Sequence, residues 1–301
     1  MSKEPFMIQD IPGKGRGMIA TRSISSGEMV LAEAPLFIQT GLPTNATVLA
    51  SVSALNKAQQ REFFSLANCH RGKLPPALGI FQTNALPCGF NDRISMAVAT
   101  EGAIFLKGSM FNSSCLPNVN NYWVESEGKI TFRAIRDISS GEELYISYCS
   151  CLADRETRQV ELKNRFGFEC NCTACSLSGE ERKASDTRRS SVAKLHSEIG
   201  ACGAQPSLGL RKVKLALRYL NEEGLLESHG DSYYYDGFQF YTSSSDINSA
   251  KAWAKKAWEL ACRNKGPDSE EARRFDVFVQ NPRAHPSFGL LTRQKLSGPE
   301  L

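Results

Sequence analysis

SMFNSSCLPN at residues 109–118 and GEELYISY at residues 141–148 are the two stretches that carry the most structural information in this chain. Taken alone, the first is typical of a turn and the second of a short strand that follows a turn. Two further motifs frame them along the chain: a Gly-x-Gly loop at residues 15–17 and a cysteine triplet at residues 170–175. The fold and function follow from all four motifs in this order.

A short sequence occurs twice, once ahead of each of two predicted strands. Residues 21–28 read TRSISSGE and precede the apolar residues 29–31, and residues 135–142 read IRDISSGE and precede residues 144–146. Each copy predicts a Ser-Ser-Gly turn that leads into a strand. We interpret the copies as two similar hairpins and not as a repeat protein, because the match is short.

The glycine loop at residues 15–20, GRGMIA, formally fits a dinucleotide-binding fingerprint, with Glu33 at about the right distance. That fingerprint also needs a following helix, whereas residues 21–27 form a turn sequence with few helix formers. A Rossmann fold is therefore excluded. A plain tight turn and a backbone loop that approaches another ligand both remain open.

The cysteine triplet is the strongest metal-binding signal. Cys170, Cys172 and Cys175 follow a Cys-x-Cys-x-x-Cys pattern, which supplies three of the four thiolates of a tetrahedral structural zinc site. Three unligated thiols are the alternative. On chemistry alone, four cysteines are candidates for the fourth ligand: Cys115, Cys149, Cys151 and Cys202.

Composition describes an ordinary globular protein. The 301 residues are 41% hydrophobic and 23% charged, which argues against general disorder. A net charge of +4 is too small to indicate a nucleic-acid partner. Since we find no signal peptide and no apolar run of about 18 residues, we expect an intracellular protein, in the nucleus or cytoplasm, without a membrane partner. The ten cysteines are then free thiols or metal ligands.

Local signals predict helices on both sides of the central strands. Residues 44–67 have helical spacing with Asn56 as an N-cap, and prolines interrupt the chain after them. Residues 129–135 predict a strand, and a helix follows, capped by Asp154 and ended by Gly167. We expect a polar linker from the triplet to about residue 191. Two apolar stripes, at 210–220 and 253–261, then predict helices that pack into a core.

Together, the four motifs resemble the SET-domain protein methyltransferases, whose pattern runs Gly-x-Gly, Asn-His-Ser-Cys-x-Pro-Asn, Gly-Glu-Glu-Leu-x-Ile-x-Tyr and a post-SET Cys-x-Cys-x-x-Cys. The helical insert and the helical C-terminal part resemble the SET-and-MYND subgroup and its fungal relatives. The resemblance covers residues 5–176 and, more loosely, the C-terminal helices. It implies an α+β SET fold, a β-clip of several small sheets. The expected division is the N-terminal part of the SET domain at 1–40, a helical insert at 41–100, the C-terminal part at 101–168, a post-SET zinc segment at 169–176 and a helical region at 177–301.

The resemblance also implies a function: transfer of a methyl group from S-adenosylmethionine to a lysine of a histone or another protein. The sequence does not identify the oligomeric state, and a monomer is favoured. Tyr148 matches the catalytic tyrosine at the inner end of the substrate channel. Asn112 matches the residue that grips the methionine part of the cofactor, and Phe168 matches the aromatic residue that packs on its adenine. The full set of expected cofactor-binding residues is Lys14, Gly15, Arg16, Gly17, Asn112, Ser113, Tyr148 and Phe168. By the same resemblance, Cys115 joins Cys170, Cys172 and Cys175 on Zn²⁺.

Two departures from the family pattern keep other functions open. The histidine of the second motif is Ser113 here, and residues 41–95 hold only Cys69, His70 and Cys88, too few for the two zinc sites of a MYND finger. One alternative is a non-catalytic SET-fold protein that binds a partner through its C-terminal helices. The other is an enzyme that uses S-adenosylmethionine on a small molecule.

Overall fold

The computed structural model describes residues 4–89, 101–294, 296 and 298–299. Of the expected insert at 41–100, residues 90–100 lie outside this described part. The chain divides into two compact units, one of Met1–Cys149 with Gln159–Cys170 and the other of Ser150–Arg158 with Asn171–Leu301.

Short strands and nine α-helices make up the described residues. The strands are β1 (Phe6–Ile11), β2 (Gly15–Ala20), β3 (Met29–Glu33), β4 (Phe37–Thr40), β5 (Leu86–Cys88), β6 (Glu101–Ile104), β7 (Asn112–Ser113), β8 (Val119–Val124), β9 (Lys129–Ala134) and β10 (Glu143–Ile146). The helices are α1 (Asn45–Ser53), α2 (Lys57–Phe64), α3 (Pro76–Asn84), α4 (Arg155–Phe166), α5 (Gly179–Gly200), α6 (Pro206–Glu222), α7 (Leu226–Ser243), α8 (Ile247–Lys265) and α9 (Glu270–Gln280).

The strands form three small sheets, in the orders β1-β2-β10-β7, β3-β9-β8 and β4-β6-β5. Strand β10 lies antiparallel to β2, with Leu144 opposite Met18, and parallel to β7, with Tyr145 opposite Asn112. This arrangement brings the glycine loop and both central motifs into one sheet. It confirms the α+β class with several small sheets.

The duplicated sequence forms two turns that pair with each other, which we call the paired turns (residues 21–28 and 135–142). Ile24 and Ile138 exchange two backbone hydrogen bonds of 2.9 Å. Gly27 and Gly141 have φ of 85° and 84°. Each donates its N–H to the carbonyl of the alanine just before the other turn, Gly27 to Ala134 and Gly141 to Ala20. Inside each turn an arginine pairs with the glutamate six residues later: Arg22 with Glu28, and Arg136 with Glu142.

The predicted helical stretch at 44–67 is confirmed as two helices, α1 and α2. Asn56 is the N-cap of α2, as expected, and it forms a capping box in which Asn56 Oδ1 accepts from Gln59 N at 3.0 Å. Helix α3 begins at Pro76, because a proline loses no intrahelical hydrogen bond at the first helical position. The buried side chains of α1 and α2 include Val48, Val52 and Phe63, which join the core.

The prediction of a polar linker up to residue 191 is wrong, because α5 occupies residues 179–200. The first half of its buried face is polar. Ser185 Oγ donates to Glu223 at 2.6 Å, and Arg189 Nε donates to the same carboxylate at 2.7 Å. Hydrogen bonds and opposite charges compensate for the burial of these polar residues. Because polar residues occupy part of the buried face, the helix lacks the apolar spacing from which a helix is predicted.

The two apolar stripes predicted in the C-terminal part are confirmed as buried helix faces. The stripe at 210–220 belongs to α6, and the stripe at 253–261 belongs to α8, and both are buried. Packing between α7 and α8 is very close: a Cβ at Gly237 would lie 2.2 Å from Cε3 of Trp253, so only glycine fits there. Among the described residues, no helix has both the length and the apolar composition needed to cross a bilayer.

Candidate functional site

The two glycines of the loop have different surroundings. Gly15 has φ of +75° and open space around the position of a Cβ, so the turn itself requires glycine there. At Gly17 a Cβ would lie 2.6 Å from Asn112 Nδ2 and 2.7 Å from Cγ1 of Ile11. The second glycine is therefore needed for the close approach of strand β2 to Asn112.

The side-chain amide of Asn112 has a defined orientation. Its Nδ2 donates to Glu143 Oε1 at 2.8 Å and lies 3.4 Å from the carbonyl oxygen of Arg16. Both neighbours are acceptors, which fixes the nitrogen on that side of the amide. Asn112 Oδ1 has no hydrogen-bond donor among the residues that the structure describes, so it is available to a ligand.

Glu143 is the centre of this polar cluster, and the sequence analysis missed it. Its Oε2 accepts from Lys14 Nζ at 2.9 Å and from the Tyr145 hydroxyl at 2.5 Å. Lys14 Nζ also donates to the Tyr145 hydroxyl at 2.9 Å and lies 4.7 Å from the ring centroid. Burial lowers the pKa of Lys14, but the hydrogen bonds to Tyr145 and Glu143 outweigh it and raise that pKa. The Lys14 side chain is therefore a firmly held cation.

Tyr148 is held at its backbone and at its hydroxyl by Ser113 and Phe111, the two residues on either side of Asn112. The Tyr148 N–H donates to Ser113 Oγ at 3.2 Å, and the Tyr148 hydroxyl donates to the carbonyl of Phe111 at 2.5 Å. Its ring packs on Phe166 at 4.8 Å between centroids. Burial and, secondarily, the charge of Glu143 raise the pKa of Tyr148. The side chain is a neutral phenol at physiological pH and cannot act as a resident base.

The side chains of two expected cofactor residues make their contacts elsewhere, although the carbonyl oxygen of Arg16 lies near Asn112. Arg16 Nη2 donates to the carbonyl of Ser65, at the end of α2, at 2.7 Å. Phe168 is half-buried, and no hydrogen bond or ring contact links it to the remaining expected cofactor residues in the described part of the chain. The aromatic ring at the tyrosine is that of Phe166, which lies two residues earlier and was not predicted.

Four cysteine sulfurs come together in the described structure: those of Cys115, Cys170, Cys172 and Cys175 lie within 4.8 Å of one another. Three of these residues are buried and Cys172 is half-buried. Of the alternatives that the sequence left open, Cys149 has its Sγ 3.9 Å from that of Cys115. Four thiols at this spacing match the donor set of a structural zinc site.

Side chains of α4 support the cysteines, and the sequence analysis missed them too. Gln159 Nε2 donates to the carbonyl of Cys170 at 2.6 Å, and Gln159 Oε1 accepts from the Cys170 N–H at 2.9 Å. Arg155 Nε donates to the carbonyl of Cys175 at 2.6 Å, and Arg158 Nη2 lies 3.9 Å from its sulfur. The available signal was that α4 directly precedes the triplet in the sequence.

Residues 15–149 of the chain match the SET domain family. The chain is 32% identical over 284 residues to "Histone-lysine N-methyltransferase set5" of Schizosaccharomyces pombe, an alignment that covers 94% of this chain and 86% of that protein. It is 33% identical over 111 residues to "Histone-lysine N-methyltransferase SMYD3" of Homo sapiens, which covers 36% of this chain and 26% of that protein. Among solved structures, the SET domain of LSMT bound to lysine and AdoHcy matches with a TM-score of 0.39 at 11% identity over 93% of this chain and 87% of that one, a likeness too weak to add support.

The glycine loop, the second motif with Asn112 and the third with Tyr148 all lie inside the matched SET region. The alignment to the Schizosaccharomyces pombe relative covers 94% of this chain and so extends well beyond that region. The chain therefore belongs to the SET-domain family of lysine methyltransferases.

Proposed function

We propose that this chain transfers methyl groups from S-adenosylmethionine to lysine side chains of proteins, histones among them, at the cluster of Lys14, Asn112, Glu143 and Tyr148. The observation that carries the proposal is the convergence of the Lys14, Asn112 and Glu143 side chains where β2, β7 and β10 meet, with Tyr148 hydrogen-bonded to Phe111 and Ser113 on either side of Asn112. The relatives named as histone-lysine methyltransferases support a histone substrate.

The residues of the cluster fit the amino-acid end of the cofactor. That end carries an ammonium and a carboxylate. Asn112 Oδ1, free of a donor in the described structure, can accept from the ammonium, and the Lys14 cation can pair with the carboxylate. Gly15 leaves open space beside them. When bound, S-adenosylmethionine supplies a methyl group on a positively charged sulfur.

Tyr148 orients the substrate amine in this proposal and does not deprotonate it. Its hydroxyl hydrogen is directed to the carbonyl of Phe111, so the oxygen lone pairs remain to accept from a lysine amine. At pH 7 a lysine with a pKa near 10.4 loses its proton at a cost of about 4.6 kcal/mol. A dry channel and a neighbouring cation both favour the neutral amine. The remaining contribution of the protein is alignment of the reacting atoms.

We further propose that Cys115, Cys170, Cys172 and Cys175 hold one Zn²⁺ that fixes the post-SET segment. Four thiolates on one divalent ion leave two negative charges, and the fully buried Arg158 beside Cys175 is placed to balance one of them. Gln159 would orient Cys170 through its two backbone hydrogen bonds.

The organisation of the chain remains a proposal as well. We keep residues 1–40 and 101–168 as the two parts of the SET domain, 41–100 as the insert, 169–176 as the post-SET segment and 177–301 as the helical region. We propose that the chain acts as a monomer in the nucleus or cytoplasm, without a membrane or nucleic-acid partner.

The test is calorimetric titration with S-adenosylmethionine, followed by a labelled-methyl assay on recombinant histones and on mixed protein extract. We expect binding and label on lysine. Tyr148→Phe should bind the cofactor within a few-fold of wild type and transfer orders of magnitude more slowly. Binding with label only on small molecules would refute the protein substrate. Absence of binding would refute the activity, and equal turnover by Tyr148→Phe would refute the role of the tyrosine.

A further inference from the structure

We propose that Glu143 is a positioning residue for the cofactor: it selects the orientation of the Asn112 amide and thereby presents Asn112 Oδ1 to the cofactor's ammonium. The inference rests on the proposed function of this site. It assigns a task to a glutamate that is neither the expected catalytic residue nor an expected cofactor contact.

The selection follows from the pairing of donors and acceptors. Asn112 Nδ2 faces Glu143 Oε1 at 2.8 Å, and a carboxylate can only accept. If the amide turned over, Asn112 Oδ1 would face Glu143 Oε1, and two acceptors would meet without a proton between them. The flipped amide would also present its NH₂ group to the ligand, where it would face the like-charged hydrogens of an ammonium. Glu143 therefore excludes the orientation that cannot bind.

The carboxylate is itself held in place. Its side chain is only 10% exposed, and its second oxygen accepts from both Lys14 and Tyr145. A Cβ at position 17 would lie 3.1 Å from Glu143 Oε1, so the bare glycine leaves room for this carboxylate as well as for Asn112. Glu143 thus fixes two neighbours. It holds Lys14, which is expected to pair with the cofactor's carboxylate, and Asn112, which is expected to accept from the cofactor's ammonium.

Glu143→Gln keeps the shape of the side chain and tests the selection directly. A glutamine has one acceptor and one NH₂ group, so it can donate to Asn112 Oδ1 and stabilise the flipped amide. S-Adenosylhomocysteine carries the amino-acid end, whereas 5′-methylthioadenosine shares the adenosine and the sulfur but lacks that end. We expect Glu143→Gln to lower the affinity for S-adenosylhomocysteine about tenfold or more. The affinity for 5′-methylthioadenosine should stay within about twofold of the wild-type value.

Glu142→Gln is the matched control, because it makes the same chemical change one residue earlier. The carboxylate of Glu142 contacts Arg136 and Asn118, not Asn112 or Lys14. In this variant the ratio of the two affinities should stay at the wild-type value. If Glu143 had only a structural role, Glu143→Gln would instead lower the affinities for both ligands by the same factor.

A double-mutant cycle with Asn112→Ala gives an independent measurement. Once the amide is absent, Glu143→Gln should cost clearly less S-adenosylhomocysteine affinity than it does in the wild-type background. Equal costs in the two backgrounds, or equal weakening of both ligands by Glu143→Gln, would overturn the inference. Failure of the wild-type protein to bind S-adenosylhomocysteine would instead overturn the proposed function.

Discussion

Replacing Ser113 with alanine tests whether this serine, in place of the family's histidine, has a defined task. Ser113 Oγ accepts the N–H of Tyr148 at 3.2 Å, so the serine holds the backbone of the proposed catalytic tyrosine. Alanine removes the acceptor and leaves a partly buried N–H without its partner. A neutral hydrogen bond of this kind contributes about 1 kcal/mol, and an unsatisfied donor costs about 1–3 kcal/mol.

We expect the cost to appear in methyl transfer more than in cofactor affinity, because the contact fixes Tyr148 and not Asn112. About 1 kcal/mol on the transition state lowers turnover about fivefold, and about 1 kcal/mol of stability lowers Tm by about 2–4 °C. The assay is single-turnover methyl transfer beside calorimetric titration and thermal unfolding. Ser113→Thr, which keeps the hydroxyl, is the control. The reasoning fails if Ser113→Ala transfers at the wild-type rate, or if it loses more cofactor affinity than rate.

Two further predictions concern the metal and the core. Cys115→Ser should lower the zinc content of purified protein, measured by elemental analysis. Cys202→Ser is the control and should leave the zinc content unchanged, since the Cys202 thiol donates to a helix carbonyl at 3.1 Å. Undiminished zinc in Cys115→Ser would mean that the fourth ligand is misassigned. Gly237→Ala should lower stability by about 1–3 kcal/mol in denaturant unfolding, because its Cβ would overlap Trp253. Gly200→Ala, which has open space around its Cβ, should be neutral or stabilising, and an equal loss in both variants would contradict the packing argument.

Local signals were predictable from the sequence, and contacts between distant residues were not. Asn56 and Asp154 cap their helices as expected, because a cap is decided within three residues. Glu143 escaped prediction because two of its partners are distant in the sequence, Asn112 at 31 residues and Lys14 at 129 residues along the chain. Its carboxylate becomes recognisable only after β2, β7 and β10 are aligned.

Helices with unusual inner faces were also missed. α5 buries polar side chains, so its apolar pattern is incomplete. α7 lies within the region expected to be helical but was not singled out as an element although Tyr233, Phe238 and Tyr241 are buried, because aromatic and polar residues alternate irregularly along it. The four motifs succeeded for the opposite reason, since each holds its residue types at fixed spacing within a few positions. The sequence therefore predicted the motifs and the helix caps. It did not predict which side chains from distant parts of the chain contact one another in the fold.

The paired turns have a consequence for how the chain folds and varies. Ser26 N–H donates to the carboxylate of Asp137, 111 residues away, at 2.8 Å, so neither turn is complete until a long loop has closed. Such non-local contacts slow folding, and we expect the pairing to form late and to break in one cooperative step. The entropy of closing a loop grows only with the logarithm of its length, so doubling the intervening segment adds only about 0.6 kcal/mol. A loop of the segment between the turns that lies away from Asn112 and Ser113 can thus lengthen or shorten over evolution while the site keeps its geometry.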